Sequence, residues 1–232
     1  IFLGALGLTL CVFIPNLGFD HGGARRWISV GPVSLQPAEF LKVAFVVYFS
    51  AWLAWARKKQ EDFKFRIVPL IILLGIVAAA LLRQPDTKSL ILIIIAACGM
   101  LFTSGVSWKK IIGIIVLGLG AITILAFVRP YVMERIKTFI DPASDPRGAS
   151  YQLQQSLIAI GSGGAFGRGL GQSVQKFNYL PEPQGDSIFA VIGEEFGFLG
   201  TTILLTLYVF FAIRGLKIAL RAPDTFSRYL VV

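Results

Sequence analysis

The chain has 232 residues, 55% of them hydrophobic and only 15% charged, with a formal net charge of +9. A soluble domain carries about a quarter charged residues, so this composition cannot cover a water-facing surface and excludes a soluble globular domain. The basic excess must be read by position before it is taken for a nucleic-acid footprint.

Apolar runs fall at about 1–19, 38–56, 67–82, 89–106, 111–128 and 187–213, and a further one begins after Arg228. About 20 mostly apolar residues cross a bilayer as a helix, so these runs predict six transmembrane helices. Those at 67–82 and 111–128 are short and must borrow flanking residues. A lipid-exposed barrel needs strand-like alternation, which is absent, whereas helices satisfy their own backbone in lipid. The predicted fold class is all-α: a polytopic transmembrane helix bundle forming a single domain over 1–232. Ile1 already stands inside one apolar run and Val232 inside another, which reads as a piece of a larger protein. No signal-peptide pattern is visible. Cys11 and Cys98 sit in different apolar runs and read as buried free thiols rather than a disulfide or metal site.

If the helices alternate, the segments 57–66, 107–110 and 214–228 share one side. They hold Arg57, Lys58, Lys59, Lys64, Arg66, Lys109, Lys110, Arg214, Lys217, Arg221 and Arg228. The opposite loops, 20–37 and 83–88, hold only Arg25, Arg26, Arg83 and Lys88. Short basic loops stay cytoplasmic, so the charge reports topology, with no nucleic-acid partner. Residues 129–186 then form a large extracellular loop. Structureless loops longer than about 12–15 residues are uncommon and often functional. Within it "YQLQQSLIAIG" has helical spacing with a polar face, which predicts a short helix along the membrane interface.

In chain order, the first constellation is "GGARRWISVGPVSLQPAEFLKVAF". Arg25, Arg26 and Trp27 suit an interfacial anchor. Glu39 and Lys42 lie three apart on the helix that Pro37 opens, an ion-pair spacing. Two arginines and a lysine on the face of the long loop also suit a diphosphate. In "RQPDTKSL", Asp86 and Lys88 bracket a helix entrance, where capping is a sufficient role. The glycines at 161, 163, 164, 167, 169 and 171 match no phosphate-loop pattern and are assigned to turns and close backbone approach. His21 stands alone, and no cluster has zinc-ligand spacing. Last comes "YLPEPQGDSIFAVIGEEFGFLG". Asp186 is expected to cap a helix starting at Ser187. Below it Ala190, Gly193, Gly197 and Gly200 fall within about 40° of the same face. Such a stripe admits either a packed helix or a lipid chain. Glu194 and Glu195 lie roughly 12 Å deeper, where carboxylates need partners, so ion pairing or an ion site is expected of both.

These same stretches resemble the SEDS family of polytopic cell-wall proteins, which includes FtsW, RodA and SpoVE. The matching motifs are "GARRWI", "LQPAEFLK", "QPD", "YQLQQSLIAIGSGGAFGRGLG" and "YLPEPQGDSIFAVIGEEFGFLG", in the family's order over residues 23–200. "GLGQSVQKFNYLPE" is nearer the FtsW and SpoVE branch than RodA. The family's ten-helix fold implies that this chain runs from the third helix to the eighth. The resemblance implies a peptidoglycan glycosyltransferase that polymerises lipid II for septal wall synthesis at the outer face of the bacterial cytoplasmic membrane. It further implies a class B penicillin-binding protein transpeptidase as partner, with other division proteins and membrane lipids. By motif, Asp186 takes the place of the family's essential external-loop aspartate and Trp27 that of its important tryptophan. The family commonly has His-Thr before this aspartate and Phe after it, where this chain has Gln184, Gly185 and Ser187. It usually has Leu-Gly where Thr87 and Lys88 follow Asp86.

On this reading Asp186 is the candidate catalytic residue, a general base for the acceptor hydroxyl in an inverting displacement. The candidate substrate-binding residues are Arg25, Arg26, Trp27, Glu39, Lys42, Lys176, Glu182 and Glu194. Fixed cations suit the departing diphosphate, with a divalent cation such as magnesium as a candidate cofactor and no metal ligand assigned. The small-residue stripe is expected to guide a polyprenyl tail. Two rivals stand beside this reading: a lipid II flippase using charged residues in the bundle, and a non-catalytic divisome scaffold.

Overall fold

A computed structural model describes residues 1–14, 17–21, 24–30, 33–58, 63–128, 130–141, 148 and 150–232. Basic Lys59 and parts of the expected external segment (129, 142–147 and 149) lie outside the described residues. The chain divides into two compact units, residues 1–114 with 214–232, and residues 115–213.

The first unit opens with α1, Phe2–Cys11, followed by β1 (Gly18–His21), β2 (Ala24–Val30) and β3 (Val33–Leu35). The strands make one antiparallel sheet in the order β1-β2-β3, with Phe19 opposite Trp27 and Ile28 opposite Leu35. The first apolar run therefore becomes a short helix and a strand rather than one span to residue 19. Its sequence contains Pro15, which has no amide donor to continue a helix. The Gly-Gly and Gly-Pro dipeptides at 22–23 and 31–32 are the hairpin signals that the apolar count passed over.

Next come α2 (Pro37–Lys58), α3 (Phe63–Arg83), α4 (Thr87–Thr103) and the start of α5 (Trp108–Val128). On α2, Leu41, Phe45, Phe49 and Leu53 are fully buried at four-residue spacing, one face of a 3.6-residue helix. The opposite face carries exposed Phe40, Val43, Tyr48 and Trp55. A soluble helix would be polar there, so this face is solvated by lipid. Leu70, Val77 and Leu81 of α3 and Ile93, Met100 and Leu101 of α4 complete the core. Asp86 caps α4 as expected: its carboxylate accepts from the Ser89 amide at 3.1 Å, the Ser89 hydroxyl at 2.8 Å and the Gln36 amide at 3.3 Å. The unit closes with α10, Thr225–Val231, capped by Asp224. The Ser227 hydroxyl and amide hold the Asp224 carboxyl below its ordinary pKa. Both cysteines are free and partly buried.

The second unit holds the rest of α5, then α6 (Pro130–Ile140), α7 (Tyr151–Ser162), α8 (Gln175–Asn178) and α9 (Ile188–Leu220) as far as Ile213. Among the described residues, Pro37–Arg57 and Ile188–Leu220 are long and apolar enough to cross a membrane, and Phe2–Cys11, Ile67–Arg83 and Thr87–Thr103 are apolar but shorter. The fold is a polytopic transmembrane helix assembly with one small sheet.

α7 forms where its sequence predicts a helix, and its C-terminal end meets α9. Gln152 bonds Ser187, Ala159 packs with Ala190 and Val191, and a Cβ on Gly193 would meet Ile160 at 3.1 Å. The matched order of these contacts makes α7 parallel to α9. After it, residues 163–172 turn back and Leu180 returns to the same small cluster. Residues 151–187 are thus a hairpin lying against α9, and small residues on both elements permit the close approach. The tip meets Gly197, nine residues or about 13 Å along the helix from Ile188.

At that depth α9 is broken. Gly197 has φ 65 and ψ −161, a conformation that a β-carbon disfavours. An unbroken helix would bond Phe198 to the Glu194 carbonyl and Leu199 to that of Glu195. Instead Phe198 donates to the Gly164 carbonyl at 2.8 Å and Leu199 to that of Ala165 at 3.0 Å. The Glu194 and Glu195 carbonyls accept from the Arg168 amide at 3.0 Å and the Gly169 amide at 2.9 Å. The hairpin tip supplies partners for these four groups. This matters because an unpaired backbone group in lipid costs several kcal/mol.

Candidate functional site

The hairpin explains why an apolar helix carries three carboxylates at its start. Glu194 is fully buried. Its carboxylate accepts from the Ser173 hydroxyl at 2.6 Å, the Val174 amide at 3.0 Å and the Gln175 amide at 3.2 Å. The Arg168 guanidinium stands 3.2 Å away. Glu195, also buried, pairs with the Lys176 ammonium at 2.5 Å and accepts from the Ser173 amide at 3.4 Å. Lys176 in turn lies 5.1 Å from the centre of the Phe177 ring. Both glutamates thereby fasten the returning arm of the hairpin to α9.

The third carboxylate differs. Asp186 is exposed on the turn between the hairpin and α9. The helix starts at Ile188, one residue later than expected, and the Ser187 carbonyl accepts its first bonds from Ala190 and Val191. Ser187 therefore occupies the cap position, and Asp186 stands just ahead of it. The turn is held from inside. Gly185 and Ser187 amides donate to the Glu182 carbonyl at 3.2 Å each, with Glu182 at φ 47. The buried Ser187 hydroxyl donates to the Pro181 carbonyl at 3.0 Å and accepts from the Gln152 amide at 3.1 Å.

The stripe of small residues under Asp186 is filled. Ala190 joins the Ala159–Leu180–Val191 cluster, Gly193 faces Ile160, and a Cβ at Gly197 would strike Gly167 and Ala165. The expectation of a lipid groove there is corrected: the stripe is a packing surface, because the hairpin backbone occupies the space.

The remaining candidates lie in the first unit. Arg25 is exposed on β2, Arg26 half-buried with an unpartnered buried Nε, and Trp27 half-buried opposite Phe19. The Lys42 ammonium pairs with exposed Glu39 at 2.8 Å. Lys42 also borders an apolar groove of about 390 Å³ between α2, α4 and α10, lined by Val46, Leu92, Ala96 and Leu230. The structure brings Glu182 beside Asp186, Lys176 to Glu195, and Lys42 to Glu39. Among the described residues no three metal-ligating side chains cluster.

Sequence reasoning missed Arg168, Ser173, Gln152 and Ser187. It also missed the pairing of two Gly-x-x-x-Gly spacings, Gly163 with Gly167 and Gly193 with Gly197, which is the signal that could have found the hairpin.

A family model described as a cell cycle protein, for FtsW, RodA and SpoVE, matches residues 1–232. The chain is 38% identical over 230 residues to the probable peptidoglycan glycosyltransferase FtsW of Geobacter sp. (strain M18), covering 99% of this chain and 63% of that one. It is 40% identical over 228 residues to the stage V sporulation protein E of Bacillus subtilis (strain 168), covering 97% and 62%. The chain thus spans somewhat less than two thirds of these relatives. Among solved structures, one chain comes from work on the structural coordination of polymerization and crosslinking by a peptidoglycan synthase complex. It superposes with a TM-score of 0.75 at 24% identity, covering 99% of this chain and 63% of that one. The rod shape determining protein RodA of Thermus thermophilus gives a TM-score of 0.64 at 23% identity, covering 99% and 58%.

Proposed function

The chain belongs to the FtsW, RodA and SpoVE family of cell cycle proteins, and on that premise we propose that it carries the catalytic aspartate of a peptidoglycan glycosyltransferase. The substrate is lipid II, and the reaction takes place at the outer face of the bacterial cytoplasmic membrane, where residues 129–186 lie. One observation carries this reading. Of the three carboxylates at the start of α9, Glu194 and Glu195 are buried in contact with the hairpin, and Asp186 is exposed on a fastened turn.

The chemistry asks for such a group. The donor glycan is α-linked to a lipid diphosphate and the new bond is β, so the acceptor oxygen attacks the anomeric carbon from the face opposite the leaving diphosphate. Asp186 takes the acceptor's proton as the C–O bond forms and the bond to the diphosphate breaks. General-base assistance contributes about 10²–10⁴-fold. Cations meet the charge developing on the leaving group. Within the first unit the candidates for binding a diphosphate are Arg25, Arg26, whose Nε retains unused donor capacity, and Lys42. Lys42 joins charge to apolar surface, which suits a phosphate on an isoprenoid chain. The partner that cross-links the strand is a class B penicillin-binding protein.

A flippase would use Lys42, Glu194 and Glu195 as a polar path. The two glutamates are instead tied into the hairpin, which removes the main support for that reading. The test is lipid II polymerisation in detergent, where no membrane exists to flip across. Partner-bound Asp186→Asn protein is expected to lose polymer synthesis while keeping its melting temperature; undiminished synthesis would refute the assignment.

A further inference from the structure

A general base must hold its position to within a fraction of an ångström, yet Asp186 is exposed and sits outside α9. The turn that carries it has a buried side-chain anchor in Ser187. Ser187 is 3% exposed and uses its hydroxyl in both directions, donating to the Pro181 carbonyl at 3.0 Å and accepting from Gln152 at 3.1 Å. Its one proton goes to Pro181, and a lone pair receives the Gln152 amide, so neither partner is left unpaired. Pro181 and Ser187 are the first and last residues of the turn, and Ser187 adjoins Asp186. Gln152 lies on the first turn of α7, whose later residues Ala159 and Ile160 are packed on α9. The chain of hydrogen bonds therefore ties the turn to α7.

We propose that Gln152 and Ser187 are positioning residues for Asp186, acting through the turn rather than on substrate. This inference rests on the catalytic reading of Asp186. Without the hydroxyl, the Gln152 amide and the Pro181 carbonyl lose their shared partner and the turn is free to pivot about Glu182, which holds a positive φ. A displacement of about 1 Å at a reacting group costs up to about 10²-fold in rate.

The experiment compares Ser187→Ala, Gln152→Ala, their combination, Ser187→Thr and Asp186→Asn in partner-bound protein polymerising lipid II. Ser187→Ala and Gln152→Ala are each expected to lower kcat about ten- to a hundredfold with KM and melting temperature unchanged. The combination should be no worse than either alone, and Ser187→Thr, which restores a hydroxyl, should recover the rate. Unchanged kcat in both alanine variants overturns the inference. So does a loss that tracks a lowered melting temperature and is not rescued by threonine. If Asp186→Asn itself stays fully active, the catalytic reading fails and takes the positioning role with it.

Discussion

Replacing Glu194 by Gln keeps the side chain's shape while removing its charge and one of its two acceptors. The buried carboxylate now serves three groups on the returning arm of the hairpin, Ser173, Val174 and Gln175, and one guanidinium. If the remaining oxygen keeps the Val174 amide, the new amide group faces the Gln175 N–H, donor against donor. Losing one hydrogen bond to a buried charge costs about 1.5–3 kcal/mol, and setting donor against donor leaves a buried polar group unpaired at about 1–3 kcal/mol. About 3 kcal/mol is the expected cost. Removing the other partner should behave differently. Arg168 is 42% exposed against 0% for Glu194, so its guanidinium is largely hydrated already. Arg168→Ala should cost about 0–1 kcal/mol, since the carboxylate keeps its hydroxyl and amide donors. Hydrogen exchange in nanodiscs reads both directly. In Glu194→Gln the amides of 164–180 should exchange roughly 10²-fold faster, tenfold per 1.4 kcal/mol, and in Arg168→Ala by no more than about fivefold. Equal protection in Glu194→Gln, or equal loosening in the two variants, would refute the assignment of the hairpin's hold to a buried carboxylate.

Two further outcomes follow from the same contacts. Gly167 has φ +80 and a Cβ there would run into the Glu195 carbonyl, whereas a Cβ on Gly161 meets nothing within 4 Å. Gly167→Ala should therefore destabilise by more than about 2 kcal/mol from left-handed strain and backbone collision. Gly161→Ala, in helical α7, should be neutral or stabilising by up to about 1 kcal/mol; thermal melts of both variants check the contrast. Lys42→Gln should raise the KM for the lipid-diphosphate donor while leaving the melting temperature near that of the parent, because the Lys42–Glu39 pair is a surface one worth about 0–1 kcal/mol. A change in kcat alone would place Lys42 elsewhere in the reaction.

Much of this architecture was legible because lipid imposes a simple rule. Leu41, Phe45, Phe49 and Leu53 repeat every four residues, and a helix apolar on all sides has only one comfortable solvent. Asp86 was legible as a cap for the same local reason: its partner Ser89 is three residues away. The sheet was not, since residues 18–35 mix apolar and glycine signals, and a count of apolar residues cannot see a hairpin. The roles of Glu194 and Glu195 were half legible. Depth along α9 demanded partners, but those partners, Ser173 and Lys176, are 21 and 19 residues away. Nothing in local spacing selects them. The groove reading of the stripe failed for a related reason: small residues announce close approach without naming what approaches.

The broken helix and the hairpin would each, alone, leave backbone groups without partners. A turn of glycines about 13 Å along α9 would strand its amides and carbonyls there, and a helix kinked at Gly197 would strand its own. Brought together, the four backbone bonds between 164–169 and 194–199 satisfy both, and the buried glutamates add side-chain ties at the same level. The mutual requirement makes the pair cooperative: neither can loosen without leaving the other's backbone groups unpaired. Asp186 thus stands on a turn whose two ends, Pro181 and Ser187, belong to one locked body. That is the condition under which an exposed carboxylate, with a flexible sugar substrate before it, keeps the fixed position that proton transfer demands.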